Sequence, residues 1–365
     1  MNQRLQQRIT LFSKIPLYMM SRVTGVPLIS PVNVTMSLLY PCNSRCKTCH
    51  VYGKTPDRLS LDECDRIFAS LGQAPFWFTM SGGEPFLCQD IADICISAYQ
   101  HCKPAIINIP TNASLYKIIP ERVQRILDNC PETELIINVS LAEVGEKHDE
   151  IRGFPKSYQR AMTSYRALKE LTTEYPNFTL GIHTVISRFN VENIPSIYEQ
   201  LQRLAPDSYI TEIAEERVEL DTIGCDITPS LDQYTHAINF LSNQIKHRDF
   251  SGVSKITQSF RLEYYELVKK ILQRRTQVIP CYAGIVSVQI SPQGDVWPCC
   301  IRADVMGNLR ENNYDFRQVW QSAQAARIRK SIKQKECFCP LANASYTNIL
   351  CSPSSMLRVF RHMFD

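Results

Sequence analysis

From about residue 33 to 216 the chain alternates short β-rich apolar runs with amphipathic helical stretches, and no other feature constrains its fold as strongly. The runs at 34–39, 76–80, 105–109, 135–141, 179–186 and 208–213 read as strands. Between them, helical periodicity appears at 61–71, 90–102, 115–129, 157–174 and 193–204. The first of these helices starts at Ser60-Leu61-Asp62-Glu63, a capping box, and sets Leu61, Cys64, Ile67, Phe68 and Leu71 on one face. Six successive strand–helix units predict an α/β fold with a parallel sheet, open or partly closed as a (β/α)6 TIM-type barrel. Chemistry in such folds gathers at the C-terminal ends of the strands.

After residue 227 the pattern changes. Thr228-Pro229 reads as a helix start, a second helix follows near 256–275, and Pro292-Gln293-Gly294-Asp295 reads as a hairpin turn. A basic helix is expected near 315–333, then a loop-like, cysteine-bearing stretch. The expected organisation is a basic amphipathic segment at 1–32, a barrel at 33–227, linking helices at 228–280, an α+β extension at 281–351 and an apolar, basic tail at 352–365.

A net charge of +4 over 365 residues is small, and no nucleic acid partner is expected from it. Neither a secretory signal pattern nor an apolar run of about 18 residues occurs, so a cytoplasmic protein is expected. The two ends mix basic and apolar residues: Arg4, Arg8, Lys14 and Arg22 among Ile9, Leu11 and Phe12, and Arg358 and Arg361 among Leu357 and Phe360. Such ends either pack on their own domain or lie on anionic lipid, so peripheral membrane contact enters as an expectation.

The fifteen cysteines, an odd number in a chain without a secretory signal, argue for metal ligation and buried thiols rather than a disulfide framework. Cys42, Cys46 and Cys49 follow the first strand on one short loop. Three thiolates so spaced can ligate three irons of a [4Fe–4S] cluster and leave the fourth open to an external ligand. A zinc ion completed by His50 is the alternative.

The C-x3-C-x2-C loop, with Ser81-Gly82-Gly83-Glu84-Pro85 after the second strand, resembles the radical S-adenosylmethionine (SAM) superfamily. The resemblance implies that Gly82, Gly83 and Glu84 meet the amino group of the cofactor's methionine moiety. It likewise places Thr111 and Asn112, with Ser140, near the ribose, and sets Arg152 of His148-Asp149-Glu150-Ile151-Arg152-Gly153 against the methionine carboxylate. The family often carries an aromatic residue before the third cysteine. Thr48 stands there, which leaves the adenine contacts to backbone groups or His50. Cys281-Tyr282-Ala283-Gly284 and Gly294-Asp295-Val296-Trp297-Pro298-Cys299 resemble the SPASM or shorter twitch extension, which implies a second [4Fe–4S] cluster on Cys281, Cys299, Cys337 and Cys339. Cys300 competes with Cys299 for that role, Cys351 is a spare, and zinc on the same four thiolates is the alternative.

The resemblance further implies reductive cleavage of SAM, hydrogen abstraction from an organic substrate, and an external one-electron donor such as a ferredoxin or flavodoxin. A non-catalytic, metal-stabilised binding module on the same barrel is the rival reading. His183 is expected either in the cavity or in the core. Glu212, Glu215 and Arg217, at or beyond the end of the sixth strand, are expected either to face the substrate or to form an ordinary surface salt bridge. Alternation along a regular strand sends Glu212 and Glu215 to opposite faces, so both cannot point inward.

Overall fold

A computed structural model describes residues 3–248, 250 and 252–364 of the chain. Six parallel strands, β1 (Asn33–Ser37), β2 (Trp77–Ser81), β3 (Ile106–Thr111), β4 (Glu134–Ser140), β5 (Phe178–Ile186) and β6 (Ser208–Ile213), pair in sequence order. A helix α1 (Gln3–Thr24) precedes them. Between them run α2 (Leu61–Leu71), α3 (Ile91–Cys102), α4 (Ile119–Asn129), α5 (Glu146–Arg152), α6 (Ser157–Glu174) and α7 (Ile194–Gln202). The capping box of α2 is present in full: Ser60 accepts from Glu63 N, and Glu63 accepts from Ser60 N.

The sheet continues past the barrel. Two helices, α8 (Leu231–Lys246) and α9 (Gly252–Arg274), lead to β7 (Ser287–Ile290), which pairs in parallel with β1. The short strands β8 (Asp295–Trp297) and β9 (Gly307–Asn308) then add antiparallel. The order is β6-β5-β4-β3-β2-β1-β7-β8-β9, so the hairpin near Gly294 extends the barrel sheet itself. Helices α9 and α12 (Ala342–Leu350) connect the β6 edge to β1. Tyr265 and Thr211 share a hydrogen bond of 2.6 Å, Tyr264 donates to Pro340 O at 3.1 Å, and Asn343 donates to Thr35 Oγ1 at 3.1 Å.

Register makes the inner face polar. Thr35, Thr79 and Asn108 lie side by side, as do Asn138, Gly181 and Ser208 one layer higher, and Ser140 and His183 above them. The alternate residues, including Val34, Met36, Phe78, Ile107 and Ile137, are buried beneath the helices.

Three expectations change. The first linking helix starts at Leu231, not Thr228-Pro229, because Ser230 forms the capping box with Gln233. The basic helix breaks into α10 (Phe316–Trp320) and α11 (Ala323–Lys333), since Ser322 caps the second by accepting from Ala325 N. The final stretch is helical, α12 and then α13 (Pro353–His362), the latter capped by Ser352 with Pro353 in its first turn. A cleft of 540 Å³ lined by Lys14, Phe76, Lys103 and Glu132 lies beneath the strands, at the end away from the cysteine loop.

Candidate functional site

The loop carrying Cys42, Cys46 and Cys49 leaves the C-terminal end of β1 and is fastened from three sides. Arg45 N and Lys47 N donate to the carbonyls of Arg152 and Ile151 at 2.8 and 2.9 Å, so α5 forms one wall. Gly153 ends that helix at φ +57°, and a Cβ there would lie 2.3 Å from Arg45 O. On the opposite side β2 turns through Gly82 and Gly83. Cβ atoms on them would lie 2.3 Å from Leu39 O and 2.2 Å from Pro41 O. The close approach these two glycines permit is therefore to the backbone leading into the cysteine loop.

Glu84 joins the ends of β2 and β3. Its carboxylate is buried and accepts from Thr111 Oγ1 at 2.7 Å, Asn112 N at 2.8 Å and Phe86 N at 3.2 Å. Burial pushes its pKa up, against the pull of those donors. Asn112, so held, reaches Asn43 Oδ1 at 2.8 Å and Ser44 Oγ at 3.2 Å, and its amide lies 4.0 Å from Cys42 Sγ. Arg152 donates to Ser140 O at 2.7 Å and to Cys46 Sγ at 3.6 Å, while its Nε is buried without a partner. Burial pushes the Cys42 thiol up to about 11 and the Cys49 thiol up to about 12.

Donors at the sulfurs, from Arg152, Asn112 and Ser44 N (3.4 Å from Cys42 Sγ), suit thiolates that share out negative charge. Among the described residues no three His, Cys, Asp or Glu side chains converge closely enough to hold one metal ion. Cys42, Cys46 and Cys49 lie within electrostatic reach of one another on one loop, a donor set that fits a cluster taking one thiolate per iron. His50 points elsewhere: its Nδ1 lies 3.0 Å from Asp221 O. His148 is a buried structural residue, accepting from Ala142 N and paired with Ser157, and burial lowers its pKa to about 3.

A second group of thiols gathers around Cys281, which precedes β7. Cys299 lies within electrostatic reach of Cys281 and Cys337, and Cys339 within reach of Cys299 and Cys281. Cys300 lies within electrostatic reach of Arg217, Glu219 and Cys299 and packs with Leu341 and Ala344, against which Cys299 and Cys339 also pack. Cys351 is buried in a different cluster with Tyr18 and Tyr282.

Beside the second thiol group, with Glu215 within electrostatic reach of Cys339 and Arg217 of Cys300, stands a charged ring. Strand β6 ends at Ile213, so strict alternation stops before Glu215. The chain folds back, and Arg217 Nη2 lies 3.5 Å from Glu212 Oε2 and 3.4 Å from Glu215 Oε1. His183 faces inward, with Nε2 3.2 Å from Glu212 Oε1 but off the line of a hydrogen bond. Of the two readings left open by the sequence, the surface salt bridge is excluded: the network is interior. Despite burial, His183 and Arg217 hold Glu212 down to about 2, whereas burial pushes Glu215 up to about 7. Three buried atoms of the ring lack hydrogen-bond partners: His183 Nε2, Glu215 Oε2 and Arg217 Nε.

The strap after β6 ties the halves together. His50 N donates to Leu220 O at 2.9 Å, Glu219 N to Cys300 O at 3.3 Å, and Ser37 Oγ to Glu219 Oε1 at 2.7 Å, with Gln289 on the same oxygen. Nothing in the acidic run Glu215-Glu216-Arg217-Val218-Glu219 distinguishes Glu219 from a surface residue. Only the fold buries it.

Residues 36–201 match the model of the radical SAM superfamily, and residues 281–340 match SPASM, an iron–sulfur cluster-binding domain. The chain is similar to the AdoMet-dependent heme synthase of Methanosarcina barkeri (strain Fusaro / DSM 804), 24% identical over 312 residues that span 82% of this chain and 84% of the relative. It is also similar to the antilisterial bacteriocin subtilosin biosynthesis protein AlbA of Bacillus subtilis (strain 168), at 23% over 324 residues, 84% of this chain but only 65% of AlbA. Among solved structures, Streptococcus suis SuiB bound to S-adenosylmethionine superposes with a TM-score of 0.59 at 15% identity, covering 82% of this chain and 68% of SuiB. The anSMEcpe structure with bound AdoMet and Kp18Cys peptide gives 0.59 at 14%, covering 92% and 97%.

Proposed function

The chain belongs to the radical SAM superfamily and carries a SPASM domain, with [4Fe–4S] clusters and SAM as cofactors, and from this premise we propose an enzyme that modifies a polar organic substrate by hydrogen abstraction. The observation that carries the reading is the buried charged ring beside the second thiol group, where Glu215 Oε2 and Arg217 Nε have no hydrogen-bond partner and His183 Nε2 has only its ion pair with Glu212. Buried polar atoms without partners are costly, and a bound polar molecule satisfies them.

In this reading Cys42, Cys46 and Cys49 hold the cluster that engages SAM, and Cys281, Cys299, Cys337 and Cys339 hold the auxiliary one. Once bound and reduced, the first cluster supplies the electron that splits SAM into methionine and a 5′-deoxyadenosyl radical. The chain's own residues do the rest. Arg152 steadies Cys46 and leaves its buried Nε for the methionine carboxylate. Gly82 and Gly83 keep β2 against the loop, and Glu84 holds Thr111 and Asn112 in place for the nucleoside. Arg217, Glu212, Glu215 and His183 orient the substrate, and the strap with buried Glu219 excludes water above it.

The two similar proteins, a heme synthase and a bacteriocin biosynthesis protein, support an organic substrate. The test is a product assay. Reconstituted protein reduced with dithionite is expected to release 5′-deoxyadenosine from SAM, and Cys46→Ala to release none. Fully loaded protein that releases none overturns the proposal.

A further inference from the structure

Helix α1 has two apolar faces, and only one is used inside the molecule. Its inner side packs Leu11, Ile15, Tyr18 and Met19 against Val32, Tyr282 and Val286. Tyr18 donates to Ser30 O at 2.6 Å and Arg22 to Cys281 O at 2.9 Å. A helix whose sole task is to cover that surface presents polar residues outward. Here the outward positions are Ile9, Phe12, Leu17, Met20 and Val23, with Phe12 57% and Val23 67% exposed. Steps of three and four residues from Ile9 through Phe12, Pro16 and Met20 to Val23 place them in one stripe, about 20 Å long at 1.5 Å per residue.

A second helix extends the patch. Cys351, which leads into α13, is buried against Tyr18, so α13 starts beside the middle of α1. It exposes Leu357 and Phe360, followed by Phe364. Eight of the seventeen exposed large apolar residues among those described lie on α1 or on α13 and the residues just after it, which a scattered surface would not produce.

Charge decides what covers the patch. Helix α1 exposes Arg8 beside the stripe and has no acidic residue, while its Arg22 is turned inward to Cys281 O. Helix α11 contains no acidic residue either and exposes Arg327, Lys330 and Lys333. Lys333 donates to Val23 O at 2.6 Å, which sets the basic end of α11 against the end of the stripe. A second copy of this face would bring cation against cation. An apolar stripe with cationic flanks is complementary to anionic headgroups over acyl chains.

We propose that α1, with α13 and the basic end of α11, docks this protein on an anionic lipid surface. The orientation follows. Gln7 donates to Lys103 O at 2.7 Å, and Val32 and Phe76 pack near α1, so the helix lies under the starts of β1, β2 and β3. The cysteine loop leaves the other end of β1. Docked, the protein keeps its mouth towards water, and substrate enters from the aqueous side. This holds whether or not the proposed chemistry does.

Co-sedimentation of reconstituted full-length protein with vesicles tests it. Vesicles of phosphatidylcholine mixed with phosphatidylglycerol are expected to carry the protein down, with weaker binding to phosphatidylcholine alone and release at high salt. Phe12→Asp with Met20→Asp is expected to lower partitioning by about tenfold or more, and Leu357→Asp with Phe360→Asp independently to lower it as well. Arg327→Glu with Lys330→Glu is expected to lower it by about fivefold per charge. All three variants should keep wild-type iron content. No binding to the mixed vesicles, or binding unchanged in the Asp variants, overturns the proposal. So does a dimer that Phe12→Asp dissolves in protein that ignores vesicles.

Discussion

Replacing Glu84 by Gln separates two roles that the same residue can have. If Glu84 acts only on bound SAM, the cofactor-free protein should not notice the change. The geometry says otherwise. Oε1 accepts from Thr111 and Phe86, and Oε2 from Asn112 N, so a Gln that keeps its oxygen towards the first pair turns an NH2 group on the Asn112 N–H. One hydrogen bond to a charged group is lost, about 1.5–3 kcal/mol, and a buried donor is left unpaired, about 1–3 kcal/mol, so a loss of about 3 kcal/mol is expected. Since Asn112 holds Asn43 and Ser44, the damage reaches the cysteine loop. Urea unfolding of the apo-protein should show a lower midpoint with an unchanged slope, and reconstitution should recover less iron. A Glu84→Gln apo-protein as stable as wild type, with full iron, would refute this account of how the loop is held.

Further expectations follow from equally specific contacts. Gly83→Ala places a Cβ against two backbone oxygens, Pro41 O at 2.2 Å and Tyr40 O at 2.3 Å, and should cost about 3 kcal/mol or more in urea unfolding. Gly53→Ala, whose Cβ meets nothing within 4 Å, should change stability by about 0.5 kcal/mol or less in the same assay. Glu63 couples α2 to the C-terminal part of the chain through Arg310, at 2.7 Å, and Tyr314, at 2.8 Å. The hydrogen bond from Arg310 chiefly lowers its pKa to about 2, from 4.5. A carboxylate with a depressed folded pKa stabilises fully above the unfolded value and loses that contribution as pH falls. Glu63→Gln should therefore cost about 1–2 kcal/mol at pH 7, after allowance for solvent screening of the partly exposed Arg310, and the difference in Tm should shrink below pH 4.5. Cys281→Ala should remove about half the iron of a protein loaded with two [4Fe–4S] clusters, as measured by colorimetric assay.

The barrel was legible because its signals are local and repeated. Each strand expected from 34 to 213 overlaps an observed one, and the Ser60–Glu63 capping box marked the start of α2 to the residue. That the cysteine loop follows β1 and the Gly82-Gly83 turn follows β2 was legible because both directly follow strands whose signals are local. What escaped was long-range. Ser230 outcompeted Thr228 as a cap because Gln233 stands three residues on, a signal present but passed over. Helix α12 has small and polar residues with no clear apolar period, and it forms because Ala342, Ala344 and Ser345 pack inside the molecule. His183, Glu212, Glu215 and Arg217 were named from the sequence, but their meeting in one network was not legible, because β6 ends just before Glu215 and no periodicity announces where a strand stops. Choosing between Cys299 and Cys300 likewise needs the direction of a turn, which adjacent identical residues cannot disclose.

The central claim is that the loop of Cys42, Cys46 and Cys49, and not the second group of thiols, holds the cluster that SAM engages. Electron paramagnetic resonance of the reduced protein, recorded with and without SAM, tests this most directly. The account predicts a [4Fe–4S] signal that changes on adding SAM, a change that persists in Cys281→Ala and vanishes in Cys46→Ala. A SAM-dependent change that survives Cys46→Ala and disappears in Cys281→Ala would contradict it.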